Sequence, residues 1–377
     1  MKLASGALAV LLLSAPVPLL AQSPPKATPK AVPTQQQSGG GISVQAGPEA
    51  PKGAVPAEVE DLRLLGGLEN DPFALERLGL GSIRANDLAR ARSFFEKSWK
   101  LGQLPTAAYN LACLDAREKK TDAAFASLDR ALGAGFDDAD LLRTDPDLAS
   151  LRESPRYKAV LDRAEKNRVA GDAAAVKEGI FVAPKEKPVA ILVLLHDAAS
   201  SPLAVSGPFL GEAGRRALFV AVPRGPGTSA ERRFGWGSAE RAGKAVDGAI
   251  AEARKRAKDP KLPVLIVGVG RGGTEAFTLA ARKASGSLAG VGSIGGPFDP
   301  GAAPKPAGLL GARLFLGIPR DAEPARAAAF RRGVDALRQM RFTPAVTEWP
   351  GPGDSFPSEP ARAVNEALDA LGVPPGH

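Results

Sequence analysis

The sequence predicts an α/β protein in which a mostly parallel, doubly wound sheet follows a smaller all-α domain. Three observations support this fold class. Apolar, β-rich runs alternate with helical patterns after Arg168, helical periodicity alone precedes that residue, and one glycine cluster joins a predicted strand to a predicted helix. Near-continuous apolar strands separated by helices are typical of parallel sheets that are covered on both faces.

Composition agrees with an ordinary globular protein. Of the 377 residues, 44% are hydrophobic and 24% are charged, and a chain of this length can form two hydrophobic cores. The net charge is +8, but acidic and basic residues are interspersed, without a block of Lys and Arg interleaved with aromatics. We interpret the charge as a solvated surface and expect no nucleic-acid partner. The single cysteine, Cys113, excludes an intramolecular disulfide.

Residues 1–21 have the pattern of a secretory signal peptide. Lys2 precedes an apolar core over residues 7–13, and Ala21 is followed by a suitable cleavage point. The apolar stretch is too short to span a bilayer, and no later stretch reaches ~18 uninterrupted apolar residues. We therefore expect an exported protein, periplasmic or extracellular, that is soluble and has no membrane span.

Residues 22–56 are rich in Pro, Gln, Gly and Ser and contain too few apolar residues to form a core. This composition predicts a disordered linker that tethers the folded part of the chain. A Pro-rich ligand for another protein is the alternative interpretation.

A helical pattern over residues 57–170 repeats with a spacing of 33 residues, which relates Leu78 to Leu111 and Phe95 to Leu128. The stretch 107–135 resembles a tetratricopeptide repeat, whose period is about 34 residues. Residues 145–166 resemble the capping tail that follows such repeats in bacterial proteins. The resemblance implies a protein partner on the concave face of the repeats. Packing of the repeats against a neighbouring domain is the alternative.

Residues 175–373 are predicted to form the second domain. Its predicted strands are 179–183, 189–195, 217–222, 264–269, 288–294, 312–318 and 344–349. Its predicted helices include 239–258, 274–283, 324–340 and 361–371. In sheets of this kind, ligands bind beyond the carboxyl ends of the strands.

The chemistry is expected at the glycine turn in the stretch 263–282, PVLIVGVGRGGTEAFTLAAR. A strand, a sharp turn and a helix form the context of the nucleophile elbow G-x-S-x-G. The domain resembles the α/β-hydrolases, nearest in style to the carboxylesterase, lipase and dienelactone-hydrolase branch. The resemblance puts Gly270 at the position of the nucleophilic serine, so the nucleophile is expected to be missing.

The resemblance also implies where the other two triad members stand. The acid position falls on Asp321, for which a helix N-cap is the alternative role. The histidine position falls on Asp354, and a carboxylate is a poor general base near pH 7. Two of the three triad positions are therefore replaced, which predicts a catalytically degenerate hydrolase.

Four residues are predicted to line a vestigial pocket: His196, Asp197, Trp236 and Arg271. His196 follows a predicted strand where the family often has His-Gly, and Asp197 stands in place of that glycine. We expect His196 to be structural. Trp236, near several arginines, either lines a cleft for an anionic or sugar-like ligand or covers the sheet.

No cofactor or metal is expected, because the sequence has no Cys/His cluster, no acidic calcium loop and no complete phosphate or dinucleotide loop. If Asp321 and Asp354 face each other, they either share a proton, pair with Arg271 or hold a cation. The predicted function is binding of a protein partner or ligand by a pseudohydrolase. The alternative is an active esterase with a non-standard site, for which Ser200, Ser201 or Ser293 would supply the nucleophile.

Overall fold

The computed structural model describes residues 70–303, 306–350, 357, 359–373 and 375. The predicted signal peptide, the predicted linker and the first part of the predicted helical domain lie outside these residues, as does Asp354. In the described part of the chain, every helix is too short or too polar to cross a membrane.

The first part of the structure is helical. Its helices are α1 (Pro72–Arg84), α2 (Leu88–Gly102), α3 (Pro105–Arg117), α4 (Thr121–Gly133), α5 (Ala139–Thr144) and, after a 3-10 turn at Pro146–Leu151, α6 (Pro155–Lys177). Asp71 caps α1 because its carboxylate accepts hydrogen bonds from the backbone N–H groups of the first turn. The first hairpin packs tightly because Gly79 leaves room for the fully buried ring of Phe95.

The second part alternates strands and helices. Its elements are β1 (Ile180–Val182), β2 (Ala190–Leu195), α7 (Pro202–Arg215), β3 (Leu218–Val222), β4 (Gly227–Ala230), β5 (Arg233–Gly235), α8 (Ala239–Ala257), β6 (Val264–Val269), α9 (Arg271–Ala281), β7 (Gly290–Ile294), β8 (Arg313–Pro319), α10 (Pro324–Gln339), β9 (Ala345–Trp349) and α11 (Pro360–Ala370).

Seven strands form one sheet in the order β1-β3-β2-β6-β7-β8-β9. Six of these strands run parallel to one another, namely β3, β2, β6, β7, β8 and β9. The seventh, β1, pairs with β3 antiparallel. Every residue of β2 and of β6 is buried. The mixed α/β class with a mostly parallel sheet is thus confirmed, because these strands are covered on both faces as their continuous apolar sequence predicts.

Helices cover the two faces of the sheet with separate cores. One core lies on the face of the sheet that carries Ile191 of β2, where buried residues of α8, α9 and α10 pack against it. The other core lies on the opposite face, which carries Leu192, and is covered by buried residues of α7 and α11. Since β2 and β6 pair with Leu195 opposite Gly268, the loops after these two strands lie side by side at the carboxyl edge of the sheet.

The helical part contacts the sheet through the short hairpin of β4 and β5. Ala230 in the hairpin packs with Leu104 and Ala107. The buried guanidinium of Arg241 joins the two parts, since its Nε lies 2.6 Å from Asp172 and its Nη2 lies 2.8 Å from Asp137. This hairpin and α7 were not among the predicted elements.

Candidate functional site

The glycine turn after β6 has the sharp backbone that its sequence predicts. Gly270 adopts φ +54° and ψ −124°, a conformation that L side chains rarely adopt. A Cβ on Gly268 would overlap Gly272, and one on Gly272 would overlap the carbonyl of Leu195. The glycines are therefore needed for α9 to approach β6 and β2 this closely. The helix begins at Arg271, three residues before the predicted start.

The carboxylate of Asp197 lies directly over this turn. Its Oδ1 accepts hydrogen bonds from the backbone N–H of Arg271 and from that of Ala198, both at 2.7 Å. In a serine hydrolase with this turn, the N–H after the nucleophile and an N–H from a neighbouring strand–helix loop form the oxyanion hole. In this chain the N–H groups of Arg271 and Ala198 bind the carboxylate of Asp197.

Asp197 also fills the space of a side chain at position 270. A Cβ built on Gly270 would lie 2.2 Å from Asp197 Oδ2 and 2.3 Å from its Cγ. A serine at the tip of the turn and an aspartate in the neighbouring loop are therefore mutually exclusive in this conformation. The absence of a side chain at Gly270 and the position of the Asp197 carboxylate therefore fit together as one arrangement.

His196 is fully buried beneath this loop. Its Nε2 accepts a hydrogen bond from the backbone N–H of Gly225 at 2.9 Å, and its Nδ1 lies 2.7 Å from the carbonyl oxygen of Asp197. These partners assign the proton to Nδ1. Burial lowers the pKa of His196 to about 4, and the charge of Arg224 acts in the same direction, so the ring is neutral near pH 7.

Trp236 packs on the histidine. The two rings stack with centroids 4.6 Å apart, and the indole Nε1 donates to the carbonyl oxygen of His196 at 2.9 Å. The indole is buried and its polar atom is used. Trp236 therefore connects the segment after β5 to the loop that carries Asp197.

Asp321 lies apart from this cluster. It is exposed in the turn after β8, and β8 is two strands away from β6, or roughly 10 Å across the sheet. The N-cap of α10 is Glu323, whose carboxylate accepts from Ala325 at 2.9 Å and from Arg326 at 3.0 Å. The alternative role of Asp321 as the N-cap of this helix is thus wrong, because Glu323 is the N-cap residue.

Two of the three serines considered as substitute nucleophiles have structural partners. Ser293 is buried, and its Oγ donates to the carbonyl of Gly296 at 2.6 Å. Ser201 caps α7 by accepting from Ala204 at 3.3 Å. Neither hydroxyl is paired with His196, the one histidine in the described part of the chain, whose ring nitrogens have other partners.

One cluster of candidate metal ligands occurs in the described part of the chain, and it lies in the helical part: Cys113, Asp145 and Asp147. Asp145 accepts hydrogen bonds from the hydroxyl of Tyr109 and, at 3.7 Å, from the thiol of Cys113. Burial raises the pKa of the Cys113 thiol well above its usual range. Tyr109, Cys113 and Asp145 thus form a hydrogen-bonded part of the helical core.

The link between Asp197 and Gly270 was missed from the sequence, although both residues were singled out. The two lie 73 positions apart and meet only because β2 pairs with β6. The only signal in the sequence was that each residue follows a predicted strand of the same sheet, so that both were expected at its carboxyl edge.

No family model matches the chain. Over 87 residues, it is 30% identical to a chloroplastic protein of Arabidopsis thaliana, and this match covers 22% of the chain and 26% of the plant protein. The chain therefore spans about a quarter of the length of that relative.

Several solved structures are similar to the chain. Esterase PE8 matches at 14% identity and a TM-score of 0.45, over 51% of this chain and 98% of the esterase. An uncharacterized protein of Bacillus cereus ATCC 10987 matches at 12% identity and a TM-score of 0.42, over 80% and 98%. Dienelactone hydrolase of Anabaena variabilis ATCC 29413 matches at 20% identity and a TM-score of 0.40, over 53% and 93%. Because these TM-scores lie below 0.5, the activity of this chain is inferred from its own residues.

Proposed function

We propose that the chain is an exported, catalytically degenerate α/β-hydrolase-like protein that binds a protein partner through a tetratricopeptide-like domain. The two working units would be the helical domain of residues 57–170 and the α/β domain of residues 175–373. One observation carries the loss of catalysis: the carboxylate of Asp197 occupies both the oxyanion donors and the space above Gly270.

This arrangement opposes ester hydrolysis at every step that the turn would perform. Gly270 supplies no nucleophilic atom, and a developing oxyanion would compete with a carboxylate that is tied to its own loop. Removal of one oxyanion donor typically costs about 100- to 1,000-fold in rate. Here both donors are engaged, and His196 is neutral, buried and bound on both ring nitrogens.

A small cleft lies between α1, α2, α3 and the 3-10 turn, and its volume of about 10 Å³ has room for roughly one water molecule or one inserted polar group. Its walls include the apolar side chains of Leu80, Ile83 and Leu114, and its polar side includes Asn110 and Asp147. Asn110 is 7% exposed, and its Nδ2 has no hydrogen-bond partner among the described residues. A buried donor without a partner costs about 1–3 kcal/mol, which a bound backbone carbonyl would offset.

A small ligand at the turn is a weaker form of the proposal. Such a ligand would have to displace Asp197, because the two backbone donors that would receive it are already engaged. A carboxylate ligand would be the natural competitor, since it would make the same two hydrogen bonds.

Reconstruction tests the catalytic part of this proposal. Gly270→Ser with Asp354→His restores the nucleophile and base positions, and Asp197→Gly then clears the donors. We expect the triple variant to hydrolyse p-nitrophenyl acetate much faster than the double variant, because in the double variant the Asp197 carboxylate, displaced by the new serine, stays beside the donors and repels a developing oxyanion. Equal activity of the two variants would contradict the role given to Asp197. An inactive but folded triple variant would contradict descent of the site from a hydrolase.

Pull-down from a periplasmic fraction tests the binding part. We expect a partner that is captured by the native chain and lost with Ile83→Glu, which puts a charge on a half-buried side chain of the cleft wall. Lys100→Glu, on the exposed face of α2, is the matched control. A partner that both variants retain would contradict binding in this cleft.

A further inference from the structure

A set of basic loops lies at the edge of the sheet opposite the glycine turn. These loops precede the parallel strands β2, β6, β7 and β9, and parallel strands begin at a common edge. We call this set the basic edge and define it by six exposed cations: Lys185, Lys187, Lys258, Lys261, Arg282 and Arg341.

Backbone hydrogen bonds hold neighbouring loops of this edge in fixed register. The N–H of Ile191 donates to the carbonyl of Pro263 at 2.8 Å, and that of Ala289 donates to the carbonyl of Val264 at 2.9 Å. The N–H of Arg313 continues the row to Ala289 at 3.0 Å. The six parallel strands lie about 4.8 Å apart, so the edge that they form, with β3 at one end and β9 at the other, spans roughly 24 Å. The charges therefore lie on one ordered strip.

The strip has few anions to balance it. Glu186 and Asp259 are the acidic residues within the same loops. Nearby acids on the helices are already paired, as in the ion pair of Asp247 with Lys283 and that of Glu252 with Arg256. Among the described residues, none of the six cations of the basic edge has an ion-pair partner. Six cations against two anions give the loops of the basic edge a net charge of +4.

Exposed apolar side chains accompany these charges. Val189 is 56% exposed in the loop before β2, and Leu310 is 52% exposed in the loop before β8. Such a combination of cations and exposed aliphatic side chains can bind a surface that is negatively charged outside and apolar beneath. Single-stranded nucleic acids, by contrast, are typically held by aromatic side chains on which bases stack, and none of the exposed large hydrophobic residues in the described part of the chain is aromatic.

We propose that the basic edge docks on an anionic lipid surface. The cations lie against phospholipid headgroups, and the side chains of Val189 and Leu310 enter the boundary with the acyl chains. Because the glycine turn and the Asp197 loop lie at the other end of the strands, they face away from the lipid. The helical part, which contacts the sheet through β4 and β5 on that side, remains open to a partner.

Vesicle binding tests this proposal with the full chain. We expect the protein to sediment with vesicles of phosphatidylglycerol and phosphatidylcholine in equal parts, and to stay in solution with phosphatidylcholine alone. Each basic residue near such a surface contributes about fivefold in affinity. The variant Lys258→Gln/Arg282→Gln is therefore expected to bind about 30-fold more weakly, and added salt should weaken binding of the native chain.

The matched control is Arg232→Gln/Arg320→Gln, which removes two exposed arginines at the opposite end of the strands. It should bind the mixed vesicles like the native chain. Equal losses in the two variants would overturn the proposal, because the attraction would then follow net charge and not the basic edge. Tighter binding to a DNA duplex than to the mixed vesicles would also overturn it, as would binding to phosphatidylcholine alone.

Discussion

The mutual exclusion of Asp197 and a side chain at position 270 gives a quantitative prediction. In the variant Gly270→Ser, the new Cβ would lie 2.2 Å from Asp197 Oδ2, whereas Cβ atoms essentially never approach a heavy atom closer than 3.0 Å. The carboxylate must therefore leave the backbone N–H groups of Arg271 and Ala198. A hydrogen bond to a charged group contributes about 1.5–3 kcal/mol, and water reaches this half-buried site. We therefore take the loss as about 2 kcal/mol for both bonds.

A second cost comes from the backbone. A residue other than glycine at φ +54° and ψ −124° is strained by about 1–3 kcal/mol. The expected decrease in the free energy of unfolding for Gly270→Ser is therefore about 4 kcal/mol. In a chain that already carries Asp197→Ala, only the strain remains, so the same substitution should cost about 2 kcal/mol. The coupling energy between the two substitutions is then about 2 kcal/mol.

Urea unfolding of the four proteins in this double-mutant cycle measures the coupling. Gly286→Ser is the matched control, because Gly286 also has a positive φ, +73°, but an added Cβ would meet no atom within 4 Å. Its cost should be strain alone, with no coupling to Asp197→Ala. A coupling below about 0.5 kcal/mol for Gly270→Ser, within the usual error of additivity, would refute the steric exclusion.

Three further predictions concern stability. The folded-state pKa of His196, about 4, lies below its unfolded value of 6.5, so the unfolded state binds more protons between these values. The contribution of His196 is complete above pH 6.5 and should fall by about 3 kcal/mol as pH drops to 4, a slope that His196→Gln should lack in urea titrations. Arg241→Met, which leaves the half-buried carboxylates of Asp137 and Asp172 without their cation, should lower the free energy of unfolding by about 3 kcal/mol. Gly79→Ala, which overlaps the buried ring of Phe95, should lower it by about 1–3 kcal/mol.

Each of these predictions has an outcome that would contradict it. An unchanged pH slope in His196→Gln would show that the ring is not held neutral by burial. A Gln variant is suitable because its amide retains a donor and an acceptor. Full stability of Arg241→Met would mean that the helical part and the sheet do not depend on this ion pair. A neutral result for Gly79→Ala would mean that Phe95 has room to move.

The central strands and the turn were predictable because their causes are local. Val264–Val269 is a run of apolar and mostly β-branched residues that is buried on both faces, and its predicted bounds are those observed. The turn follows from its glycines, since an added Cβ would meet neighbouring backbone at Gly268 and Gly272. The helix start was displaced from Thr274 to Arg271 because Gly272 and Gly273, poor helix formers by propensity, are held in the first turn by packing against β2 and β7.

The elements that were missed depend on contacts distant in sequence. The strands β4 and β5 have 4 and 3 residues and a polar sequence, and their position follows from packing against the helical part. Helix α7 contains Pro208 and three glycines, which argue for a loop. The position of Asp197 in the oxyanion donors could not follow from spacing, because two loops separated by 73 residues meet there.

Labelling of the purified native protein with a fluorophosphonate tests most directly the claim that no catalytic nucleophile remains. The probe reacts with serines that a base activates, and mass spectrometry locates the adduct. We predict no adduct on any serine, because the turn carries Gly270 and its oxyanion donors are held by Asp197. A stoichiometric adduct on one serine, with loss of ester hydrolysis when that serine becomes alanine, would contradict the account and identify an active esterase.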